Sequence, residues 1–411
     1  MPQNLVRLVT LVTSSLSVRL FAGQSEYLAK KRYEIFVVAS PGEDLQKTRN
    51  EGAQTVAVPM AREISLYRDF VSFWRLLRVI LRLRPAIINV GTPKAGLLGA
   101  VAAWMCRVPC RYYTLYGLRC ETTTGLTRHV LLLAERVTCA CVQRVICVSE
   151  SLRQKAIELG VVDSDRAIVL AAGSCAGVDP KRFALTAEVR KRTNHIRHEL
   201  GVPPEAPVIG FVGRLTRDKG IQELVEAFLA LKADFPELRL ILVGEMEEGD
   251  PLPPQTCHDI ECEPRIRRTG FVKDPADYYH VMDVLALPTY REGFPTVVLE
   301  AHAAGKPVVA SRATGVVDAV IDGVTGILVP IGDASALASA LSLVVANRNL
   351  AKALGSAGHE RVLSKFRQDM IWDALAQEYS QRLQARGLTT RTGAKRNEAT
   401  PGSTGPPVVF R

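Results

Sequence analysis

The chain has 411 residues, 47% hydrophobic and 23% charged, a balance that excludes a mostly disordered polymer and suits two domains of roughly 150 to 200 residues each. Its 52 basic against 42 acidic residues leave a net charge of +10. That excess favours anionic partners, while the lack of zinc-finger spacing, of an aromatic-rich basic strand and of a long Lys/Arg block sets nucleic acid aside. The nine cysteines are scattered without a paired CxxC set and read as reduced thiols.

The first stretch, 1–23, has an early arginine and an apolar run broken by polar residues, so it reads as a strand and turn rather than a signal peptide. No run approaches the roughly 18 clean apolar residues of a membrane-spanning helix. Short apolar runs then alternate with amphipathic ones: EIFVVAS, TVAVP, DFVSFWRLLRVILRLR, AIINV, GLLGAVAAWMC, RYYTLY, GLTRHVLLLAERVTCACV, RVICVS and SLRQKAIELG. Strand and helix in alternation predict an α/β fold with a parallel sheet covered on both faces.

Near Gly177-Val178-Asp179-Pro180 the alternation pauses, and the charged stretch 184–207 separates it from a second cycle. The boundary is expected at about residue 185, giving domains 1–185 and 186–386. The second cycle runs PVIGFVGRL, GIQELVEAFLALKADFP, LRLILVG, DVLALP, a helix after Pro295, PVVASR and GILVP. Two closing helices follow over about 334–346 and 350–386, interrupted near Phe366, and the last is free to cross back to the first domain. Residues 387–411, rich in Gly, Thr and Pro, read as a disordered tail. Cys257, His258 and Cys262 fall in a Pro- and Glu-rich loop; a metal site there is the weaker reading.

The run Tyr290-Arg291-Glu292-Gly293-Phe294-Pro295-Thr296-Val297-Val298-Leu299-Glu300 holds two carboxylates eight positions apart. Gly293 permits a close backbone approach to a ligand, and Pro295 suits the first position of a helix whose free amides point at an anion. Diphosphate fits that description. Glu300, facing inward from an otherwise apolar helix, needs a partner that a ribose diol would supply. Earlier, Gly213-Arg214-Leu215-Thr216-Arg217-Asp218-Lys219-Gly220 is a Gly-bounded loop between strand and helix. Arg214 and Lys219 flank it at a strand's carboxyl end, where cations hold a diphosphate and stabilise it as it leaves.

Together these segments resemble the retaining glycosyltransferases of family 4, over nearly the whole chain. The resemblance implies a GT-B fold, two Rossmann-like doubly wound domains facing a central cleft, with the donor held mainly by the second and no bound metal or other cofactor. By position it implies that Arg214 and Lys219 contact the donor diphosphate, Glu292 the transferred sugar and Glu300 the ribose, with Gly213, Gly293, Phe294, Pro295 and Thr296 around them. Base recognition is expected near Gly270, Phe271 and Val272, although Phe271 is equally compatible with a core position. A double displacement through two carboxylates is disfavoured if Glu300 holds ribose; the family's front-face mechanism, with the leaving diphosphate taking the acceptor proton, is preferred.

Acceptor contacts are expected at strand ends of the first domain: Ser15, Gly23, Thr92, Lys94 and Glu121. Similar segments occur in members that build exopolysaccharide, capsule or O-antigen units on a lipid carrier, which implies a nucleotide-sugar donor, most simply UDP-linked, and a polyprenyl-diphosphate-linked saccharide acceptor. One departure stands out: many members carry a histidine where this chain has Asn89-Val90-Gly91-Thr92, and Lys94 is a candidate substitute. His302 reads as structural. Arg68, Arg75, Arg78 and Arg82 repeat at helical spacing beside Trp74 and suit either a solvated outer helix or an anionic membrane surface, the latter consistent with a cytoplasmic protein peripheral on the inner face of the membrane. The remaining alternatives are a sugar-nucleotide epimerase of the same architecture and a non-catalytic subunit of a polysaccharide-assembly complex.

Overall fold

The computed structural model describes residues 5–61 and 65–388; residues 389–411 of the expected tail, and Arg62, lie outside them. Apolar runs too short for helices form two all-parallel sheets. The first is built from β1 (Val6–Leu11), β2 (Tyr33–Ala39), β3 (Gln54–Ala57), β4 (Ile87–Gly91), β5 (Cys110–Leu115), β6 (Arg144–Cys147) and β7 (Ala167–Val169), in the order β3-β2-β1-β4-β5-β6-β7. The second comprises β8 (Val208–Val212), β9 (Arg239–Val243), β10 (Ile266–Gly270), β11 (Val284–Leu287), β12 (Val308–Ser311) and β13 (Gly326–Val329), ordered β10-β9-β8-β11-β12-β13. Both are doubly wound. Their winding reverses between β1 and β4, and between β8 and β11, and the loops leaving those strands form the crevices where ligands collect.

Three local expectations differ from the structure. The charged stretch between the domains contains a helix, Ala187–Glu199, because Val189, Thr193 and Ile196 make a narrow inward stripe and the Arg197 guanidinium reaches the carbonyls of Val281 and Ala206 at 3.0 and 2.8 Å. The Cys257 segment is the helix Pro254–Cys262 rather than a loop, and places the Cys262 sulfur 3.5 Å from His258 Nδ1. Strand β7 was hidden by its brevity.

The chain passes between the domains twice, side by side. Val178 and Arg367 form a parallel bridge, the Val178 amide donates to the Phe366 carbonyl at 2.8 Å, and a Cβ on Gly177 would lie 2.6 Å from that same oxygen. Beyond this crossing, helix Gln368–Ala385 packs Leu375, Ala376, Tyr379 and Leu383 into the core of the first domain. The Asn89 amide donates to the Tyr379 hydroxyl at 2.8 Å, and Lys31 pairs with Asp373 at 2.9 Å.

Two buried titratable groups act on stability with opposite sign. Burial lifts Glu135, which accepts from the Tyr113 hydroxyl at 2.9 Å, to about 7, and lowers His302, whose Nε2 donates to the Thr325 carbonyl at 2.9 Å, to about 4. Below 6.5 the unfolded chain protonates a histidine that the folded chain keeps neutral, so stability falls as pH drops toward 4. Above 4.5 the unfolded chain ionises a glutamate that the folded chain keeps protonated, so stability falls as pH rises toward 7. Glu135→Gln removes the second effect. Its unfolding free energy, measured by denaturant titration, is expected to drop by about 2 kcal/mol between pH 6.5 and pH 4.5, against a flatter profile for the parent.

Candidate functional site

The loops after β8 and β11 meet at the winding reversal of the second sheet. Gly220, in a left-handed conformation (φ 69°), tucks under the Pro288 carbonyl, which a Cβ would meet at 2.0 Å. This close approach sets Lys219 against the loop that carries Glu292. Lys219 Nζ and Glu292 Oε1 form an ion pair in which both side chains are largely shielded, at 17% and 16% exposure. Arg291, missed by sequence reasoning, pairs with Asp218 at 2.8 Å and so ties the same two loops together. Arg214 is 53% exposed and pairs with Glu247 on the loop after β9.

Glu300 is the fifth residue of helix Thr296–Ala303. Sequence reasoning left its carboxylate to be satisfied by a ligand alone; in the structure the fully buried Tyr279 donates its hydroxyl to Oε2 at 2.5 Å. Burial still raises the Glu300 carboxyl above its ordinary range, partly countered by the Tyr279 bond and by Arg182. Pro295 occupies the N-cap position, and Thr296 is the first helical residue, one place later than expected.

Gly293 lies close against the first domain. A Cβ there would lie 1.9 Å from the Tyr116 carbonyl of the first domain, and the Gly293 carbonyl accepts from the Ser149 hydroxyl at 2.7 Å. The glycine therefore lets the Glu292 loop dock on the other domain. Phe294 is buried against Phe366, with ring centroids 5.3 Å apart, so it contributes packing at the domain junction. Gly213 follows β8 directly and lies beside Gly244. Gly270 ends β10; Phe271 is exposed, with the Arg19 guanidinium of the first domain 5.3 Å from its ring centre, and Val272 is half-buried. A core role for Phe271 is thereby excluded.

The expected acceptor residues are brought to the strand ends of the first sheet, yet each has a structural partner. Ser15 Oγ accepts from the Leu45 amide at 2.9 Å and caps helix Glu43–Asn50. Gly23 (φ 81°) abuts Trp372 of the last helix. Thr92 Oγ1 lies 2.8 Å from Thr13 Oγ1, joining the loops after β1 and β4, and Lys94 pairs with Asp69 at 2.7 Å. Glu121 crosses the cleft: its Oε2 accepts from Thr314 at 2.6 Å, its Oε1 is buried without a partner, and burial raises its carboxyl. Beside it Arg291 Nε donates to Thr122 at 2.9 Å. The Glu121 segment is thus a clasp between the domains.

The two parallel-sheet domains are shared with known proteins. Residues 206–347 match the profile described as glycosyl transferases group 1, and residues 18–173 the glycosyl transferase 4-like domain. The capsular polysaccharide biosynthesis glycosyltransferase CapM of Staphylococcus aureus is 34% identical over 370 residues, 90% of this chain and 96% of that protein. The chain belongs to the group 1 glycosyltransferases. A second relative, the UDP-Gal:alpha-D-GlcNAc-diphosphoundecaprenol alpha-1,3-galactosyltransferase of Escherichia coli, is 26% identical over 79% of this chain and 83% of its own. Among solved structures, Anabaena Alr3699/HepE in complex with UDP-glucose superposes with a TM-score of 0.76 at 21% identity, covering 91% and 99% of the two chains. WaaG, involved in lipopolysaccharide biosynthesis, gives 0.70 at 14% identity over 91% and 99%. The glycosyltransferase fold is GT-B.

Among the described residues no helix is long and apolar enough to cross a membrane. Among the same described residues, no group of three His, Cys, Asp or Glu side chains is placed to hold a metal ion.

Proposed function

We propose that this glycosyltransferase is a retaining enzyme that moves a hexose or similar sugar from a UDP-linked donor to a polyprenyl-diphosphate-linked saccharide in surface polysaccharide synthesis, without a bound metal. The observation that carries the donor half is the Lys219–Glu292 pair at the β8/β11 crevice, with Arg214 close by and Glu300 on the helix that follows. The name of the E. coli relative supports the acceptor class and the UDP donor, and that of the S. aureus relative supports surface polysaccharide synthesis.

In this reading Arg214 and Lys219 face the diphosphate, Glu292 the hydroxyls of the transferred sugar and Glu300 the ribose. The bond from the anomeric carbon to the β-phosphate oxygen breaks with its electron pair leaving on UDP. The acceptor oxygen bonds to the same face of that carbon, and its proton passes to the departing phosphate oxygen. Separate environments for the two carboxylates favour this over double displacement: Glu292 is paired with a cation and Glu300 with a buried phenol. Release of UDP only when acceptor is present is the expected kinetic behaviour; acceptor-independent conversion of the donor sugar would point to an epimerase.

The lipid carrier calls for approach to the inner face of the membrane. Helix Leu66–Leu83 turns Tyr67, Phe70, Trp74 and Leu81 outward alongside Arg68, Arg75, Arg78 and Arg82. Its acid, Asp69, is paired with Lys94. Helix Gly125–Cys141, in the same layer, leaves Leu126, Val130 and Leu133 exposed. Aromatic and aliphatic side chains beside arginines fit an anionic bilayer better than a merely solvated face. Each such arginine contributes about 1 kcal/mol at an anionic surface. Reversing all four to Glu is expected to weaken sedimentation with phosphatidylglycerol vesicles by at least about 100-fold; unchanged sedimentation would remove the membrane reading.

A further inference from the structure

Arg214, the more exposed of the two donor-side cations, already has an anionic partner in Glu247. Backbone geometry brings them together. Gly213 and Gly244, at the ends of β8 and β9, approach so closely that a Cβ on Gly244 would stand 1.8 Å from the Gly213 carbonyl oxygen. The Leu215 amide then donates to the Glu245 carbonyl at 2.8 Å, and Leu215 and Met246 form a parallel bridge. Further on, Asp250 accepts from the Asp218 amide at 2.9 Å. Loop 244–250 is therefore fastened along loop 213–219 on both sides of Glu247, and its carboxylate is held within reach of Arg214.

We propose that Glu247 is a built-in competitor of the donor diphosphate: it neutralises Arg214 in the empty site, yields Arg214 to the incoming nucleoside diphosphate, and reclaims it as the nucleoside diphosphate leaves. The proposal rests on the assignment of Arg214 to the donor diphosphate. The two ion pairs of the site differ in the way this requires. Lys219 and Glu292 are both shielded, whereas Arg214 is 53% exposed, against 20% for Glu247. An ion pair with so much solvent contact contributes little stability and exchanges readily. A diphosphate, which presents more charge and more acceptor oxygens than one carboxylate, displaces it. Glu247 thus lowers affinity for donor and product alike, and in doing so shortens the stay of the product.

Glu247→Gln keeps the size and hydrogen-bonding reach of the side chain and removes its charge. Titration calorimetry with UDP at low salt is expected to show binding about two- to fivefold tighter than the parent's, the range of an exposed ion pair, with the gain absent when Arg214→Ala is introduced as well. Equal or weaker UDP binding by Glu247→Gln overturns the inference, because a residue that only shapes the loop has no means of tightening binding when altered. A different result overturns the donor assignment instead: UDP failing to bind the parent, or binding Arg214→Ala as well as the parent.

Discussion

Replacing Glu292 by Ala is expected to lower transfer by about 10³-fold while leaving UDP binding no weaker than the parent's. The asymmetry follows from where the carboxylate sits. Glu292 faces the reacting sugar in the proposed complex, so its hydrogen bonds to that sugar matter most as positive charge grows at the anomeric carbon. UDP carries no sugar. Removing the carboxylate also frees Lys219 from its partner, which holds a diphosphate at least as well as before. Radiolabelled transfer and UDP calorimetry on one preparation check both halves, and unchanged turnover would refute the role.

Lys219→Ala should fail differently. It deletes the cation that neutralises the leaving diphosphate, an effect of about 10²–10³ in kcat. It also leaves Glu292, only 16% exposed, as an unpaired anion beside the diphosphate site, so UDP binding is expected to weaken by about tenfold or more. The pair of variants therefore separates the roles: Glu292 acts on kcat alone, Lys219 on kcat and affinity together. Because the two side chains touch, their effects are not additive. In the double variant, loss of Glu292 removes the unpaired anion and should restore part of the lost UDP affinity. A Lys219→Ala protein with parental affinity would place the diphosphate elsewhere.

How much of this was legible in the sequence depended on the range of each contact. Most strands were readable because they are local apolar runs, and the two-carboxylate run and the Arg214–Lys219 loop because their residues are close in sequence. Glu300's partner was not: Tyr279 is twenty-one positions away, on a helix beyond the neighbouring strand, and nothing local marks it. The same holds for Ser149 and Tyr116, which meet Gly293 from the other domain. The acceptor residues were chosen for their place at strand ends, where a side chain meets a ligand, holds the next element, or does both. Ser15, Thr92, Lys94 and Glu121 hold elements. Pattern alone carries no sign of which use a strand-end residue serves.

The arrangement couples the domains through the catalytic loop. Glu292 is flanked by Arg291, bonded to Thr122 and Asp218, and by Gly293, bonded to Ser149. Docking of the first domain therefore fixes the loop that carries Glu292.

The most direct measurement incubates the purified protein with a UDP-hexose of α configuration and an undecaprenyl-diphosphate-linked saccharide, then reads the product by proton NMR. The account predicts a new glycosidic linkage with α configuration, formed together with UDP and only when acceptor is present. A β linkage, or consumption of the donor without an acceptor, would contradict it.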